Sequence, residues 1–406
     1  MSKIEAMAPT AVRSPSPADA VELTVASDPS ALEADWRALQ ADAVTTAYQT
    51  FQWAASWQKH VGAQNGVQPL IVMGRGRDGV PLFILPFGLI TRYGCRVLTW
   101  LSAPHCSYGF GVFSRRFLRD PETDFAGIWR RVLDLLPKLD AIDLRNQPVD
   151  HLGHANPFGC LNRTPSADRS HILNLAGSYD DLFTAKHKSR TRRRLRQHER
   201  ELEGMGSWRR VRAGDANDIG RALDGMFAQK RDQLADNGIE TPFDPAFQKF
   251  LHALSLRSDA RIRCLYLELD GEIVATNISA VHGDVCYGLI TSMASGDLRR
   301  LSPGTLAMNF SIETALEDGL SAFDFSPGEA DYKARWADRA VDLFDTREAL
   351  SVKGAAYCAL QGGLMAAKRR IKHSPRLYAA GYRLRAAAHR LRRSIRPLSG
   401  TSRADG

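Results

Sequence analysis

The sequence predicts an α/β protein made of two copies of one unit and closed by a basic helical tail. Three observations predict it. A strand–turn–strand pattern occurs twice. Pro69-Leu-Ile-Val-Met-Gly leads through Asp78-Gly79 into Val80-Pro-Leu-Phe-Ile-Leu-Pro-Phe-Gly-Leu, and Arg263-Cys-Leu-Tyr-Leu-Glu-Leu leads through Asp270-Gly271 into Glu272-Ile-Val-Ala-Thr-Asn-Ile-Ser-Ala-Val. Asp-Gly between apolar runs is a hairpin signal, because both residue types enter the left-handed region at low cost. Each hairpin is followed downstream by an apolar-periodic helix, over 128–136 and 308–318. Each helix is followed by a matching strand, Leu139-Asp-Ala-Ile-Asp143-Leu in one half and Leu320-Ser-Ala-Phe-Asp324-Phe in the other. Asp78 and Asp270 stand 192 positions apart, Asp143 and Asp324 181, so the order of elements is kept with a modest change of length. Duplication of one α/β unit is the simplest account.

Along the chain, residues 1–20 are rich in Ala, Pro, Ser and Met and lack the apolar core of a signal peptide; they read as a disordered leader. The first unit spans 21–177. A basic linking helix follows over 178–204; its stretch from Lys186 to Arg200 holds eight Lys or Arg and one acid, with no Pro or Gly before Gly204. The second unit spans 205–350, with a strand over 207–211, helices over 216–235 and 245–256, and a strand from 340 to 344 and onward. The tail, 351–406, reads as helices over 355–371 and 375–391.

A hydrophobic fraction of 44% and a charged fraction of 24% describe a soluble globular chain of two domain-sized parts. The longest apolar run, 81–90, contains prolines and is too short to span a bilayer. Six cysteines without a C-x-x-C pair suit reduced thiols in a cytoplasm. The net charge of +9 is unevenly placed: from Ala349 onward 13 Lys or Arg face one acid, Asp405, so the tail carries +12 and the body −3. The basic character therefore belongs to the tail.

Chemistry concentrates in Leu301-Ser302-Pro303-Gly304-Thr305-Leu306-Ala307 and in Phe323-Asp324-Phe325-Ser326-Pro327-Gly328-Glu329-Ala330-Asp331-Tyr332-Lys333. The first places a tight turn before a helix, which offers backbone N–H groups and the positive end of a helix dipole to a phosphate. The second is a short apolar strand with a carboxylate near its end. A phosphate cradle beside a strand-end carboxylate suggests group transfer from a phosphate-bearing cofactor.

The set Asp270-Gly271, Tyr287, Leu301-Ser-Pro-Gly304, Gly319, Phe323-Asp-Phe and Gly328-x3-Tyr332-Lys333-x2-Trp336 resembles the GNAT-type acetyltransferase domain of the CelD/BcsL-like proteins. That family is similar to the FemABX-type peptidyltransferases, which carry two GNAT units in one chain. Phe51-Gln-Trp53 with Trp57 resembles the family's early aromatic helix, and Lys188-Ser-Arg190 its inter-unit segment. The resemblance covers about 21–350. It implies tandem GNAT-like units, each a mixed, mostly antiparallel sheet flanked by helices. It also implies an acyl-CoA-dependent N-acyltransferase acting on an amine of a sugar or polysaccharide precursor, in cell-surface polysaccharide biosynthesis. Of the spaced glycines usual in such a phosphate loop only Gly304 is present, after Arg299-Arg300. FemABX-type relatives use aminoacyl-tRNA through a long antiparallel helical arm, and this chain shows no such arm. That aminoacyl-tRNA-dependent transferase, and a non-catalytic subunit of a polysaccharide synthesis complex, are the alternatives.

Each candidate carries a functional and a structural reading. Ser302, Gly304 and the amides of Thr305 and Leu306 could hold the pyrophosphate of acetyl-CoA or another acyl-CoA, with Arg299 and Arg300 adding charge; otherwise they form an ordinary Pro-Gly turn. Asp324 could be a general base or could cap the turn after it, a reading that its counterpart Asp143 supports. Tyr332 could protonate the departing thiolate or pack with Trp336. Lys333 could bind a phosphate or a sugar carboxylate. Lys188 and Arg190 belong either to a solvated basic helix or to a clamp for an anionic acceptor. No aromatic interleaving supports DNA, and tRNA enters only under the alternative donor. His151-Leu-Gly-His154 has no third ligand nearby, so no metal is expected. In the tail, Leu384, Ala387, Ala388 and Leu391 among arginines read as a peripheral contact with an anionic membrane at its inner face, or as a packed or disordered tail.

Overall fold

The computed structural model describes residues 17–236 and 243–373; the expected helix over 375–391 lies outside them. The first half contains β1 (Glu22–Ala26), α1 (Glu33–Gln40), α2 (Phe51–Trp57), β2 (Gln68–Arg75), β3 (Pro81–Arg92), β4 (Cys95–Trp100), β5 (Val112–Phe113), α3 (Arg115–Arg119), α4 (Phe125–Leu135), β6 (Ala141–Pro148), a small ribbon of β7 (Asp150–His151) and β8 (His154–Ala155), and β9 (Thr164–Asn174). The second half contains α5 (Tyr179–Lys186), α6 (Ser189–Met205), β10 (Trp208–Arg212), α7 (Ala216–Asp236), α8 (Pro245–Ser255), β11 (Ile262–Leu269), β12 (Glu272–His282), β13 (Val285–Met293), α9 (Pro303–Glu317), β14 (Ala322–Asp324), α10 (Asp331–Trp336), β15 (Arg339–Ala349) and α11 (Val352–His373).

The local reasons are simple. Asp270 and Gly271 both take positive φ, 51° and 84°, as the tight primed turn joining β11 to β12 requires. In the first half only Gly79 does so, and the turn is wider, closed by Gly76 N–H to the Val80 carbonyl. α9 starts at Pro303, where the missing N–H costs nothing, and is apolar on most sides because it lies on β11, β12 and β13. The expected continuous basic helix is two helices. His187 and Lys188 are extended; Arg192 folds back to donate to the Thr184 and His187 carbonyls at 3.0 and 2.8 Å, and the His187 ring packs on Trp336. Only Leu195 and Leu202 of α6 are buried, one narrow stripe of two residues seven apart.

The strands form one sheet in the order β1-β2-β3-β4-β6-β15-β9-β14-β13-β12-β11-β10, with β5 beside β3. The order is symmetric about its centre: hairpin β2–β3 matches β11–β12, β4 matches β13, and β6 matches β14. In both halves the last of these pairs is parallel and short, Val97 and Leu98 with Ala141 and Ile142, and Val285 to Tyr287 with Ala322 to Asp324. The fold is thus the tandem, mixed and mostly antiparallel α/β architecture of GNAT-like units. The halves also exchange strands. β9 follows β6 in the chain but pairs with β14, and β15 follows β14 but pairs with β6; the two meet antiparallel at the centre. Boundaries at 177 and 350 follow chain order, whereas each half's sheet is completed by a strand from the other.

Candidate active site

In the second half β13 and β14 part company at Tyr287 and Asp324, their last paired residues. β13 runs on to Met293, and among the described residues no strand pairs its freed edge. The resulting wedge holds a cavity of about 470 Å³, lined by Leu289 to Met293 of β13, Gly304, Thr305 and Met308 of α9, Lys230 and Gln233 of α7, and Phe243, Tyr332 and Trp336. This volume is within the range of small-molecule and cofactor sites. Neighbouring residues of a strand face opposite sides. Thr291 accepts from Asn277 Nδ2 at 2.9 Å, beside Met308 of α9, whereas Ser292 donates to Gln229 of α7 at 2.7 Å. α9 and α7 therefore cover opposite faces, and the cavity passes between them at the sheet's open edge.

Gly304 brings the start of α9 against the cavity. A Cβ there would lie 3.3 Å from Met293 Sδ, so a larger side chain would project into this space. Ser302 takes φ 56°, and the Thr305 and Leu306 N–H groups return to its carbonyl at 2.9 and 3.2 Å. Those two amides are therefore already engaged within the turn. Of the residues expected to hold a cofactor, Gly304 and Thr305 line the cavity; Arg299, Arg300, Ser302 and Leu306 do not. Arg300 pairs with Glu201 of α6, and Arg299 is exposed. Lys188 and Arg190 are exposed at the start of α6, away from this wall.

Asp324 lies at the apex of the wedge, 2% exposed. Its carboxylate accepts from Tyr108 Oη at 2.7 Å to both oxygens, from Ser170 Oγ at 2.9 Å and from the Ser326 N–H at 2.7 Å. Burial raises its pKa against the lowering effect of these hydrogen bonds and of the Lys333 charge. Tyr108 and Ser170 come from the first half and from the exchanged strand β9. Tyr48, Tyr108 and Tyr287 pack edge-on around this point, with ring centroids 6.0 to 6.5 Å apart. Tyr48 Oη is 3.1 Å from Ser326 Oγ, and Tyr287 Oη is 3.1 Å from His151 Nε2. His151 Nε2 also meets the Thr45 carbonyl at 3.0 Å, and burial pushes the His151 pKa down to about 4. The carboxylate is sealed by donors and does not line the cavity, which begins two residues, about 7 Å, further along β13 at Leu289.

Lys333 is buried, and its ammonium donates to the Ser326 and Pro327 carbonyls at 2.9 and 3.1 Å. It fixes the turn that follows Asp324. Tyr332, one residue earlier, faces the cavity, packs edge-on to Phe325, and has its pKa raised by burial.

Asp143, at the matching place of the first half, has different surroundings. Burial raises its pKa, but the hydrogen bond and charge of Arg145, the charge of Arg347 and a hydrogen bond from Tyr357 outweigh it, and the net shift is downward. Arg347 donates at 3.0 and 3.1 Å and Tyr357 at 2.9 Å. Tyr357 belongs to α11, which packs on β6, β9 and β15. The first half also caps its α4 with a carboxylate: Asp124 accepts from the Gly127 N–H at 2.8 Å, placing negative charge where the second half has a bare helix start.

Sequence reasoning missed Tyr48, Tyr108 and Ser170 around Asp324, and Lys230 in the cavity. Tyr48 stands just before Phe51-Gln-Trp53 but outside it, Tyr108 and Ser170 lie in no motif, and a lysine on a long polar helix is an unremarked surface residue until the fold turns it inward.

A family model described as an acetyltransferase (GNAT) domain matches residues 189–334, from the start of α6 into α10. The match falls within the second half, and the sheet order shows a unit of like form before it. Among solved structures the chain is similar to FemX, with 13% identity, a TM-score of 0.55, and coverage of 80% of this chain and 97% of that one; at this identity the likeness is one of fold. It is also similar to L-PGS from Bacillus licheniformis, with 13% identity, a TM-score of 0.48 and coverage of 82% and 96%. A tandem GNAT protein from the clavulanic acid biosynthesis pathway gives 11%, 0.46, 82% and 99%. No curated protein matches the chain.

Proposed function

We propose that this protein moves an acyl group from acyl-CoA to an amine, and that the amine belongs to a sugar or polysaccharide precursor, as the resemblance to CelD/BcsL-like proteins implies. The observation that carries the donor is the wedge between β13 and β14, open along β13 and bounded by Gly304 at the start of α9. A strand edge offers amide groups to a pantetheine arm, and the helix start favours the phosphates. The amine nitrogen bonds to the thioester carbon and gives its proton to water; the C–S bond breaks, and the thiolate takes the Tyr332 proton. Asp324 acts as a positioning residue: through Ser326 it holds the turn that presents Tyr332.

The test is calorimetric titration of acetyl-CoA into the wild-type chain and Gly304→Val. The variant is expected to bind at least about tenfold more weakly with an unchanged melting temperature, since an added Cβ meets only the Met293 side chain, closest at Sδ. Equal affinity in the folded variant defeats the reading. Activity that requires aminoacyl-tRNA and is destroyed by ribonuclease would favour the alternative donor instead.

A further inference from the structure

The cavity is unusual in its charge. Among the described residues Lys230 is the one charged side chain lining it, and no Asp or Glu does so. Three other cavities of 350 Å³ or more each hold at least three carboxylates, such as Asp180, Glu199 and Glu313 behind α9. Lys230 is half-buried and donates to Gln233 Oε1 at 3.2 Å, one helical turn on; no ion pair of Lys230 occurs among the described residues. Burial lowers its pKa. A cation held in a partly dry cavity by a neutral amide gains strongly from an anion brought in by a ligand.

The donor's phosphates do not meet this need. They belong at the start of α9, on the face of Thr291, whereas α7 covers the face of Ser292. Lys230 follows Gln229, which is tied to Ser292 and to the Ile273 carbonyl, so its helix α7 covers the face of the sheet opposite the phosphate turn. A second reactant reaching the thioester from that side would pass it.

We propose that the acceptor is an amine that carries its own anionic group, a carboxylate or phosphate, and that Lys230 binds this group. The inference rests on the acyl-CoA reading above. It makes Lys230 the specificity determinant of the acceptor end.

The full chain is tested at saturating acetyl-CoA with matched amines differing by one anion: glucosamine against glucosamine 6-phosphate, and cadaverine against lysine. Thermal stabilisation and thiol release are read together. An anionic member is expected to act at least about tenfold more effectively than its neutral partner. Lys230→Met keeps the aliphatic stem and is expected to abolish that preference while leaving the acetyl-CoA Kd within about twofold; Lys230→Arg is expected to retain it. The proposal is overturned if the preference survives in Lys230→Met, if no anionic member outperforms its partner, or if Lys230→Met instead weakens acetyl-CoA. Failure of the wild-type chain to bind acetyl-CoA would overturn the donor reading as well, and is seen separately in the titration without amine.

Discussion

Asp143 and Asp324 are the third residues of the matching strands β6 and β14, yet one carboxylate faces guanidinium groups and the other faces hydroxyls. The folded-state pKa of Asp143 lies below its ordinary 3.8, so its stabilisation is present above that value and is lost as pH falls through the folded pKa. Asp324 is the reverse. Its folded-state pKa is raised, so its contribution is present below 3.8 and is lost as pH rises through the folded value. Asp143→Asn leaves the buried Arg347 side chain with only the longer pairing to Asp345, at 3.9 Å, and is expected to cost about 3–5 kcal/mol at pH 7, a gap that narrows toward pH 3. Asp324→Asn is expected to cost no more than about 2 kcal/mol at pH 7, with a gap that widens as pH falls toward 4. Urea unfolding across this range reads both slopes, and parallel slopes would contradict the assignment. Turnover separates the roles of Asp324: a positioning residue predicts a loss below about tenfold in Asp324→Asn, and a general base about a hundredfold or more.

At the scale of elements, the sequence reveals those whose burial is one-sided or complete. The two hairpins, α9 and the strands around Asp143 and Asp324 are legible because apolar period or turn chemistry marks them. β9 is not. Thr164-Pro-Ser-Ala-Asp-Arg-Ser-His is polar, because that part of the strand is covered unevenly and only Ser170, His171 and Leu173 are buried. The break at His187 was equally hidden, since Arg192 makes it from a distance of five residues. The wedge was half legible: Gly304, Thr305 and Tyr332 belong to motifs, whereas Lys230 reaches the cavity only through the packing of α7. α11 shows the limit of composition. Tyr357 and Gln361 turn inward, and Val352 (92% exposed), Leu360 and Leu364 turn outward, with Lys353, Lys368, Arg369 and Arg370 on the same helix. Among the described residues no helix is long and apolar enough to cross a membrane. We propose that this outward apolar stripe with its flanking cations lies on an anionic bilayer surface, at about 1 kcal/mol per basic residue. Sedimentation with phosphatidylserine vesicles is expected to fade with salt. Removal of 374–406 is expected to weaken it strongly while sparing acetyl-CoA binding. Full sedimentation of the shortened chain would place the contact elsewhere, most directly on α6.

For the whole molecule, the exchange of β9 and β15 makes the halves inseparable. Without β9 the β14 edge is bare and Asp324 loses Ser170; without β15 the β6 edge is bare and Asp143 loses Arg347. Residues 178–373 expressed alone are expected to lack a cooperative thermal transition, and to regain it when co-expressed with residues 17–177. Independent melting of the two pieces at wild-type temperature would contradict this. Seen as topology, the chain is a strand-swapped dimer whose protomers share one backbone, and the short connection near Gly177 serves chiefly to keep its two parts at high local concentration. Inheritance of a defect then crosses the midline of the gene product. A lesion in residues 164–174 is encoded in the first half, but the β13–β14 wedge of the second half, with Asp324 at its apex, is where it is felt.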